Sequence, residues 1–357
     1  MQLADVFTEY RSALEQSHGN SLLPSHYRAM DSIMGCRTHE AGVVIAQCPG
    51  CGTIEVHHQS CGHRNCPKCQ NHETGVWLDR QMEKLLPVPY FLVTFTIPAE
   101  LRPVAWKVQR KFFNGMFASS AKALRLLGAN EKFLGGEIGM TGVLHTHSRQ
   151  LAFHPHIHYV IPAGAIDLKL RAWKRKDWHY LFPEKALARL FRQELFAFLK
   201  TSKIELPKKT PRKKDWVVHC KEVGSGGPAL KYLSRYLYRG IISEKNIISN
   251  KDGIITFRYQ EGKTGLWKKR PLPGNQFLWL LLQHVLPRGF RRARNFGFLH
   301  GNAAKTLLLI QLLLSAKPAL REGRDRKVFI CSRCGSPMRI LARGFSTVGT
   351  SRAPPKN

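Results

Sequence analysis

Hydrophobic residues along this chain follow two patterns, one typical of helices and one typical of strands. Apolar positions three and four residues apart predict amphipathic helices, as at 103–127 and 184–200. Short runs of β-branched and aromatic residues predict strands, and the clearest is YFLVTFTI at 90–97, which a proline follows. The chain is also predicted to form helices at 1–35, 72–86, 229–239, 273–284 and 302–314, and strands at 139–147, 155–162, 216–223, 253–259 and 264–270.

This order of elements predicts an α+β fold. Strands 139–147 and 155–162 are separated by a short polar loop, so we expect them to pair as an antiparallel hairpin. We expect three domains along the chain. They are an N-terminal helix with a zinc-binding domain at 1–86, the main mixed domain at 87–270, and a basic helical region at 271–357 that contains a CxxC pair.

The charge balance narrows the class of partner. Lysine and arginine total 56 residues against 24 acidic ones, which gives a net charge of +32. So large an excess favours a polyanionic partner, either nucleic acid or an anionic membrane surface. Hydrophobic residues make up 43% of the chain, which is normal for a folded protein and excludes a disordered polycation.

The sequence also bears on the compartment and on the role of the cysteines. We expect no membrane span, because the most apolar stretch, 306–314, is far shorter than a bilayer requires. The N-terminus lacks the pattern of a signal peptide, so we expect a cytoplasmic protein. Thiols stay reduced in that compartment, and the nine cysteines are therefore better interpreted as metal ligands than as disulfides.

Two CPxC motifs predict a structural zinc site. Each motif turns sharply enough to direct two thiolates at one ion, and two such pairs complete a tetrahedral site. The predicted ligands are Cys48, Cys51, Cys66 and Cys69. Further cysteine and histidine residues nearby are candidates for a second ion or for replacing one ligand, chiefly Cys36, Cys61 and His63. The CxxC pair at Cys331 and Cys334 lacks an identifiable partner.

A histidine pair opens the strand at 155–162. Side chains alternate along a strand, so His156 and His158 project from one face while Ile157 points into the core. Two imidazoles on a rigid face can form half of a divalent cation site. If strand 139–147 pairs antiparallel with this one, His145 or His147 approaches as a third ligand, and we prefer His145. The alternative interpretation is a pair of surface histidines without a shared ligand.

Tyrosines lie at helical spacing after the glycine-rich turn at 224–228. In a helix of about 100° per residue, Tyr232 and Tyr236 share a face away from the leucine stripe that faces the core, whereas Tyr238 lies on the opposite flank. The hydroxyl groups of Tyr232 and Tyr236 can therefore reach one active site. Tyrosines in this pattern are also common as packing residues.

Taken in this order, the motifs resemble those of a known family. The chain is similar to the two-tyrosine HUH rolling-circle transposases of the insertion sequence ninety-one family, in which HUH denotes His, a hydrophobic residue and His. The resemblance covers nearly the whole chain. The blocks that carry it are CPKCQ at 66–70, VLHT at 143–146, HPHIHYVIPAG at 154–164, YLSRYLYR at 232–239 and VLPRGFRRARNFGFL at 285–299.

The resemblance implies an enzyme that nicks and rejoins single-stranded DNA. It implies an HUH-endonuclease-like central antiparallel sheet flanked by helices, with a small zinc-binding domain before it. His156 and His158 would hold Mg²⁺ or Mn²⁺ at the scissile phosphate, and Tyr232 or Tyr236 would attack to form a 5′-phosphotyrosine. The expected partner is single-stranded DNA at the element's ends and at the target, without a small-molecule substrate, in the bacterial nucleoid.

Several basic residues are candidates for contacting DNA phosphates. They are Lys213, Lys214, Arg235, Arg239, Arg291 and Arg292. The simpler interpretation of each basic run is a solvated surface. Two other functions remain open from the sequence. One is an HUH replication initiator or relaxase, and the other is a non-catalytic nucleic-acid-binding protein stabilised by zinc.

Overall fold

The computed structural model describes residues 1–69, 71–175, 181–235, 237, 241–262, 264–317 and 328–344. In that part of the chain the helices are α1 (Leu3–His18), α2 (Pro24–Met34), α3 (Asn71–Met82), α4 (Arg102–Lys107), α5 (Gln109–Ala129), α6 (Glu184–Thr201), α7 (Gly227–Ser234), α8 (Gly274–Leu282) and α9 (Ala304–Leu313). The strands are β1 (Val43–Gln47), β2 (Ile54–His58), β3 (Tyr90–Thr96), β4 (Met140–His147), β5 (Phe153–Pro162), β6 (Gly164–Asp167), β7 (Ala172–Arg175), β8 (Val218–Glu222), β9 (Ile247–Lys251), β10 (Ile254–Gln260), β11 (Trp267–Pro273), β12 (Ala293–Phe296) and β13 (Arg339–Arg343).

A central antiparallel sheet with strand order β12-β4-β5-β3-β8 organises the fold. Its two faces are set by side-chain alternation. On one face Phe95, Ile157 and Tyr159 pack with apolar residues of α5 and α6 in the largest core cluster. On the other face Val143 and Val160 pack with residues of α7 and α9. The α+β fold with a central antiparallel sheet flanked by helices is confirmed.

The predicted hairpin of the central sheet is also confirmed. β4 and β5 pair antiparallel, with Leu144 opposite Ile157. β3 then pairs with the other edge of β5 and places Phe95 opposite Ile157. Because these three strands are rich in β-branched and aromatic residues and end at turns, local sequence pattern was sufficient to find them.

Some elements differ from the predicted pattern. The helix expected at 103–127 is interrupted at Val108, whose backbone is not helical (φ −127°, ψ 45°), so α4 and α5 are separate. The helix expected at 229–239 begins earlier and ends at Ser234. Tyr236, Tyr238 and Arg239 lie outside the described residues.

The ends of the chain contribute to sheets that local pattern did not predict. β12, from the predicted C-terminal region, pairs with β4 and completes one edge of the central sheet. β13 pairs with β1 in a separate sheet of order β13-β1-β2. These strands are short, and their pairing partners are distant in sequence. The proposed domain limits stay a prediction.

A second core forms where the N-terminal helices meet the later part of the chain. Phe7 of α1 and Ala29 of α2 are buried with Phe257 of β10 and Phe277 of α8. Cys66 and Cys69 belong to the same cluster, so the cysteine-rich segment rests on this core. Among the described helices, none is long and apolar enough to cross a lipid bilayer.

Candidate metal and nucleophile site

Three histidines converge on one face of the central sheet. The pairing of β4 with β5 places His145 directly opposite His156 and Val143 opposite His158. Residues paired across antiparallel strands share a face, so all three imidazoles lie on the face that also carries Val143. The register of the hairpin therefore assembles the site from two strands.

The geometry of this histidine cluster suits a shared cation. Each of His145, His156 and His158 offers one ring nitrogen, and these atoms all lie within 4.8 Å of one another. The ring centroid of His145 lies 5.3 Å from that of His156 and 4.6 Å from that of His158. Three imidazole nitrogens on one side of an ion leave its other side open for further ligands. Of the alternatives left open by the sequence, it is His145 rather than His147 that joins the pair.

Hydrogen bonds orient two of the rings. Nδ1 of His156 lies 2.6 Å from the carbonyl oxygen of His154, and because a carbonyl can only accept, this Nδ1 carries the proton. Nε2 of His156 then keeps its lone pair for a ligand bond. His158 Nδ1 lies 2.7 Å from the hydroxyl of Thr94 on β3, which supports the ring from the neighbouring strand. Sequence reasoning missed Thr94, which only the register of β3 places opposite His158.

Burial keeps the imidazoles neutral. Desolvation lowers the pKa of His156 to about 4 and that of His158 to about 3. It also lowers the pKa of His145 well below its usual value, and the charges of neighbouring histidines in the protonated form act in the same direction. A neutral imidazole is the form that binds a metal ion, so the residues present fit a divalent cation at neutral pH.

Arg292 lies beside the histidine cluster and is buried, with 7% of its surface exposed. Its charge contributes to the lowered pKa of His145, His147 and His284, and burial lowers its own pKa to about 9. Arg292 is therefore not part of an exposed basic surface, and its predicted contact with DNA stays a prediction. The sequence places it in a basic run, but the chain turns it inward just before β12.

The other predicted DNA-binding residues differ in location. Arg235, Arg291, Lys213 and Lys214 are all exposed. The two lysines follow α6, whose Phe191 packs on Phe95, and this is the sheet face opposite the histidines. Backbone carbonyls of both lysines accept hydrogen bonds from Arg192, which holds the loop against α6. Their role in binding DNA stays a prediction.

The helix with the first tyrosine packs on the same sheet face as the histidines. Leu230 and Leu233 of α7 are buried in one cluster with Val143 and Val160 of the sheet. Val160 shares its face with His158 because the two lie two residues apart on β5. Tyr232, also on α7, is 39% exposed. The predicted leucine stripe is thus confirmed as the packing face, and the tyrosine helix and the histidines occupy one side of the sheet.

Gly226 fixes the start of this helix. It is the N-cap of α7 and has a left-handed backbone, with φ at 76°. A Cβ at this position would lie 2.6 Å from the ring of Tyr90. Tyr90 is itself held, because its hydroxyl accepts a hydrogen bond of 2.8 Å from the backbone N–H of Leu86. A side chain at residue 226 would therefore meet both a backbone and a packing penalty.

We expect Gly226→Ala to lower the free energy of unfolding by about 2–4 kcal/mol, as the sum of left-handed strain and overpacking. Gly224→Ala is the matched control. Gly224 also has a positive φ, 66°, but no atom lies within 4 Å of its hypothetical Cβ. The control should lose only about 1–2 kcal/mol, the backbone cost alone. Urea denaturation followed by circular dichroism measures both, and equal losses would refute the role of the Tyr90 contact.

The predicted single zinc site is wrong, because the structure separates its two CPxC pairs. The first pair lies in the turn that joins β1 to β2, and β2 then runs away from this turn, so that the second pair follows beyond the open end of the hairpin. Strands of five residues span about 17 Å, too far for the two pairs to share an ion. One cluster contains Cys36, Cys61, Cys66 and Cys69, and the other contains Cys48, Cys51, Cys331 and Cys334.

The first of these groups, the Cys36 cluster, has the spacing of a tetrahedral thiolate site. Its Sγ atoms are 3.5 Å apart for Cys36 and Cys69 and 3.7 Å apart for Cys61 and Cys69. With Zn–S bonds of about 2.3 Å, a tetrahedral site places sulfur atoms about 3.8 Å apart. His63 is not part of the cluster, but its backbone N–H donates to Cys61 Sγ at 3.4 Å. Cys36 and Cys61 are thus members of the set and His63 is a supporting residue.

Comparison with known proteins identifies the class. A family model described as "Putative transposase" matches residues 139–306, and one described as "Transposase zinc-binding domain" matches residues 6–97. "Putative transposase y4qJ" of Sinorhizobium fredii (strain NBRC 101917 / NGR234) is 31% identical over 352 residues, which cover 92% of this chain and 88% of the relative. The "Transposase for insertion sequence element IS801" of Pseudomonas savastanoi pv. phaseolicola is 26% identical over 315 residues, or 83% of this chain and 76% of the relative. No solved structure matches the chain significantly.

The α+β fold, the histidine cluster and the cysteine clusters therefore belong to a transposase. The chain is a member of the insertion sequence ninety-one family, with the zinc-binding domain of that family at its N-terminus.

Proposed function

We propose that this transposase nicks and rejoins single-stranded DNA through a tyrosine nucleophile and a divalent cation. The observation that supports the proposal is the packing of α7. Leu230 and Leu233 of this helix pack with Val143 and Val160 on the sheet face that carries the three histidines, and Tyr232 is an exposed residue of the same helix. A nucleophile and a metal site on one rigid face are the two components that phosphoryl transfer to tyrosine requires.

The histidine cluster would hold Mg²⁺ or Mn²⁺. Bound there, the cation supplies positive charge to the phosphoryl oxygens and orients the phosphodiester. The chain contributes three neutral imidazoles, of which His156 presents Nε2 because its Nδ1–H is occupied by the carbonyl of His154. Buried Arg292 adds a fixed positive charge beside this cluster.

The chemical step conserves the phosphodiester energy. The tyrosine oxygen bonds to phosphorus, the bond from phosphorus to the 3′ oxygen breaks, and that oxygen takes up a proton as the tyrosine hydroxyl gives one up. The product is a 5′-phosphotyrosine and a free 3′-hydroxyl. Attack by a 3′-hydroxyl reverses the step and rejoins the strand, so no external energy source is required. A second tyrosine at position 236 would permit a second cleavage while the first link persists.

A covalent adduct tests this proposal. We expect the protein to form an SDS-resistant complex with single-stranded oligonucleotides that tile the DNA flanking its gene, in the presence of Mn²⁺. The double variant Tyr232→Phe with Tyr236→Phe should lose the adduct completely, and the two single variants should show which tyrosine attacks first. Tyr27→Phe, in helix α2, is the control and should retain the adduct.

The outcomes separate the candidate functions. An adduct that survives in the double variant would refute the assignment of the nucleophile. Failure to form an adduct anywhere in the tiled region, by a protein that still binds DNA, would favour the non-catalytic zinc-stabilised binding protein. A replication initiator or relaxase would share the chemistry, but the similarity to transposases over most of the chain favours transposition.

We further propose that the Cys36 cluster is the structural zinc site of the N-terminal domain. It is closed by four thiols, which leaves no position for a substrate. Three of its cysteines, Cys36, Cys66 and Cys69, are buried in the core that α1 and α2 share with α8. The ion would thus hold the N-terminal domain on the rest of the enzyme.

A further inference from the structure

We propose a second zinc site, formed by Cys48 and Cys51 from the N-terminal hairpin and Cys331 and Cys334 from the far end of the chain. Their sulfur atoms all lie within 4.8 Å of one another. The family's zinc-binding domain matches residues 6–97 and so contains only half of these ligands. The bound ion would join two segments that are far apart in the sequence, with all strands of the central sheet between them. We call this site the metal clasp.

The two halves of this clasp have the same local structure. Each is a Cys-x-x-Cys-Gly loop, at 48–52 and at 331–335. Gly52 donates its N–H to the carbonyl of Cys48 at 3.0 Å, and Gly335 donates to that of Cys331 at 2.9 Å. Both glycines have φ of 74° with nothing within 4 Å of a hypothetical Cβ, so the backbone conformation alone requires glycine.

The hydrogen bonds that open each loop also correspond. The N–H of Cys48 donates to the carbonyl of Thr53 at 2.8 Å, and the N–H of Cys331 donates to that of Ser336 at 2.9 Å. Two loops of one conformation, each offering two thiols, face each other as in a four-cysteine ribbon. Cys48 and Cys51 were predicted to bind zinc because of their paired spacing. Their partner is the pair Cys331 and Cys334 instead of the predicted pair Cys66 and Cys69.

The sulfur positions favour a metal over disulfides. Cys48 Sγ lies 3.4 Å from Cys334 Sγ, and Cys51 Sγ lies 3.6 Å from Cys331 Sγ. A disulfide requires about 2.05 Å, whereas sulfurs around tetrahedral zinc are about 3.8 Å apart. Both of these short distances join a thiol of one loop to a thiol of the other, so a single ion bound by all four would connect the two loops.

Apart from the cysteines, the contact between the β1–β2 hairpin and residues 328–344 is small. We therefore expect the ion to stabilise this contact. β13 pairs with β1, but all five of its residues are exposed. The buried apolar cluster there consists of Ala46, Cys48, Cys331 and Met338. Phe329 stacks on His57 at 4.2 Å, and Glu55 accepts hydrogen bonds from Ser332. A core of this size does not support an ordered segment by itself, and a metal usually supplies the missing stability.

Zinc content tests this site directly. The protein, purified under reducing conditions, should contain two zinc equivalents by mass spectrometry of the metal. Cys331→Ser with Cys334→Ser should contain one, and so should Cys48→Ser with Cys51→Ser. Cys220→Ser is the matched control, because Cys220 lies on β8 and belongs to neither cluster, and it should keep both equivalents.

Limited proteolysis provides the second measurement. In the Cys331→Ser, Cys334→Ser variant, we expect cleavage within 328–344 to accelerate at least about tenfold while residues of the central sheet stay protected. The proposal is overturned if the Cys331→Ser, Cys334→Ser variant keeps the zinc content of the parent protein, or if the four cysteines of the metal clasp form disulfides in the parent protein and bind no zinc. These outcomes do not depend on the tyrosine chemistry, so the two proposals fail independently.

Discussion

Replacing His156 and His158 with alanine should reduce Mn²⁺-dependent cleavage of single-stranded DNA by at least about 10³-fold. The cation that stabilises the phosphoryl oxygens would lose two of its three protein ligands. The loss should appear in the rate of adduct formation under single-turnover conditions. DNA affinity should change little at fixed salt, since the basic surface supplies most of that binding. The zinc content should remain at two equivalents.

The control for this prediction is His219→Ala. His219 is an exposed histidine on β8 of the same sheet, with an ion-pair distance of 3.8 Å to Glu184. It takes no part in the histidine cluster, so cleavage should stay within about twofold of the parent protein. If the double histidine variant also cleaves at nearly the parent rate, the cluster is not the catalytic metal site, even if the tyrosine adduct is confirmed.

The second large effect should come from the Cys36 cluster. Cys66→Ser with Cys69→Ser should prevent stable folding of the N-terminal domain, because structural zinc contributes about 10–16 kcal/mol, as much as the whole stability of a typical domain. We expect insoluble protein or a melting temperature lower by at least about 10 °C. The loss of stability should be larger than that caused by removing the cysteines of the metal clasp, because Cys66 and Cys69 lie in a core with α1, α2 and α8.

Differential scanning fluorimetry of the parent protein, with and without a zinc chelator, gives the same information without mutation. The chelator should lower the melting temperature, and added zinc should restore it. Cys220→Ser again provides the control, since a half-buried thiol on β8 can be replaced without affecting either cluster. A melting temperature that is indifferent to both chelator and Cys66→Ser would show that the cluster is stabilised by packing alone.

The sheet face that carries the histidine cluster was largely predictable because its determinants are local. His156 and His158 share a face as a consequence of strand alternation, and the β4–β5 hairpin follows from two adjacent apolar runs with a short loop between them. Choosing His145 required only the register of that hairpin. The leucine stripe of α7 follows likewise from helical spacing. The position of Tyr236 lies outside the described residues, so its place relative to the metal site stays a prediction.

By itself, the sequence determined which residues are candidates for metal binding and nucleophilic attack, and which neighbours along the chain share a face. Tertiary structure decided how distant segments are paired. The two CPxC motifs look like one zinc site in sequence, but strand β2 lies between them, and Cys48 and Cys51 instead meet Cys331 and Cys334. In the same way, Arg292 belongs to a basic run but is buried beside histidines from another strand. Spacing along a chain predicts contacts only within an element or hairpin, because contacts between distant segments depend on how the whole core packs.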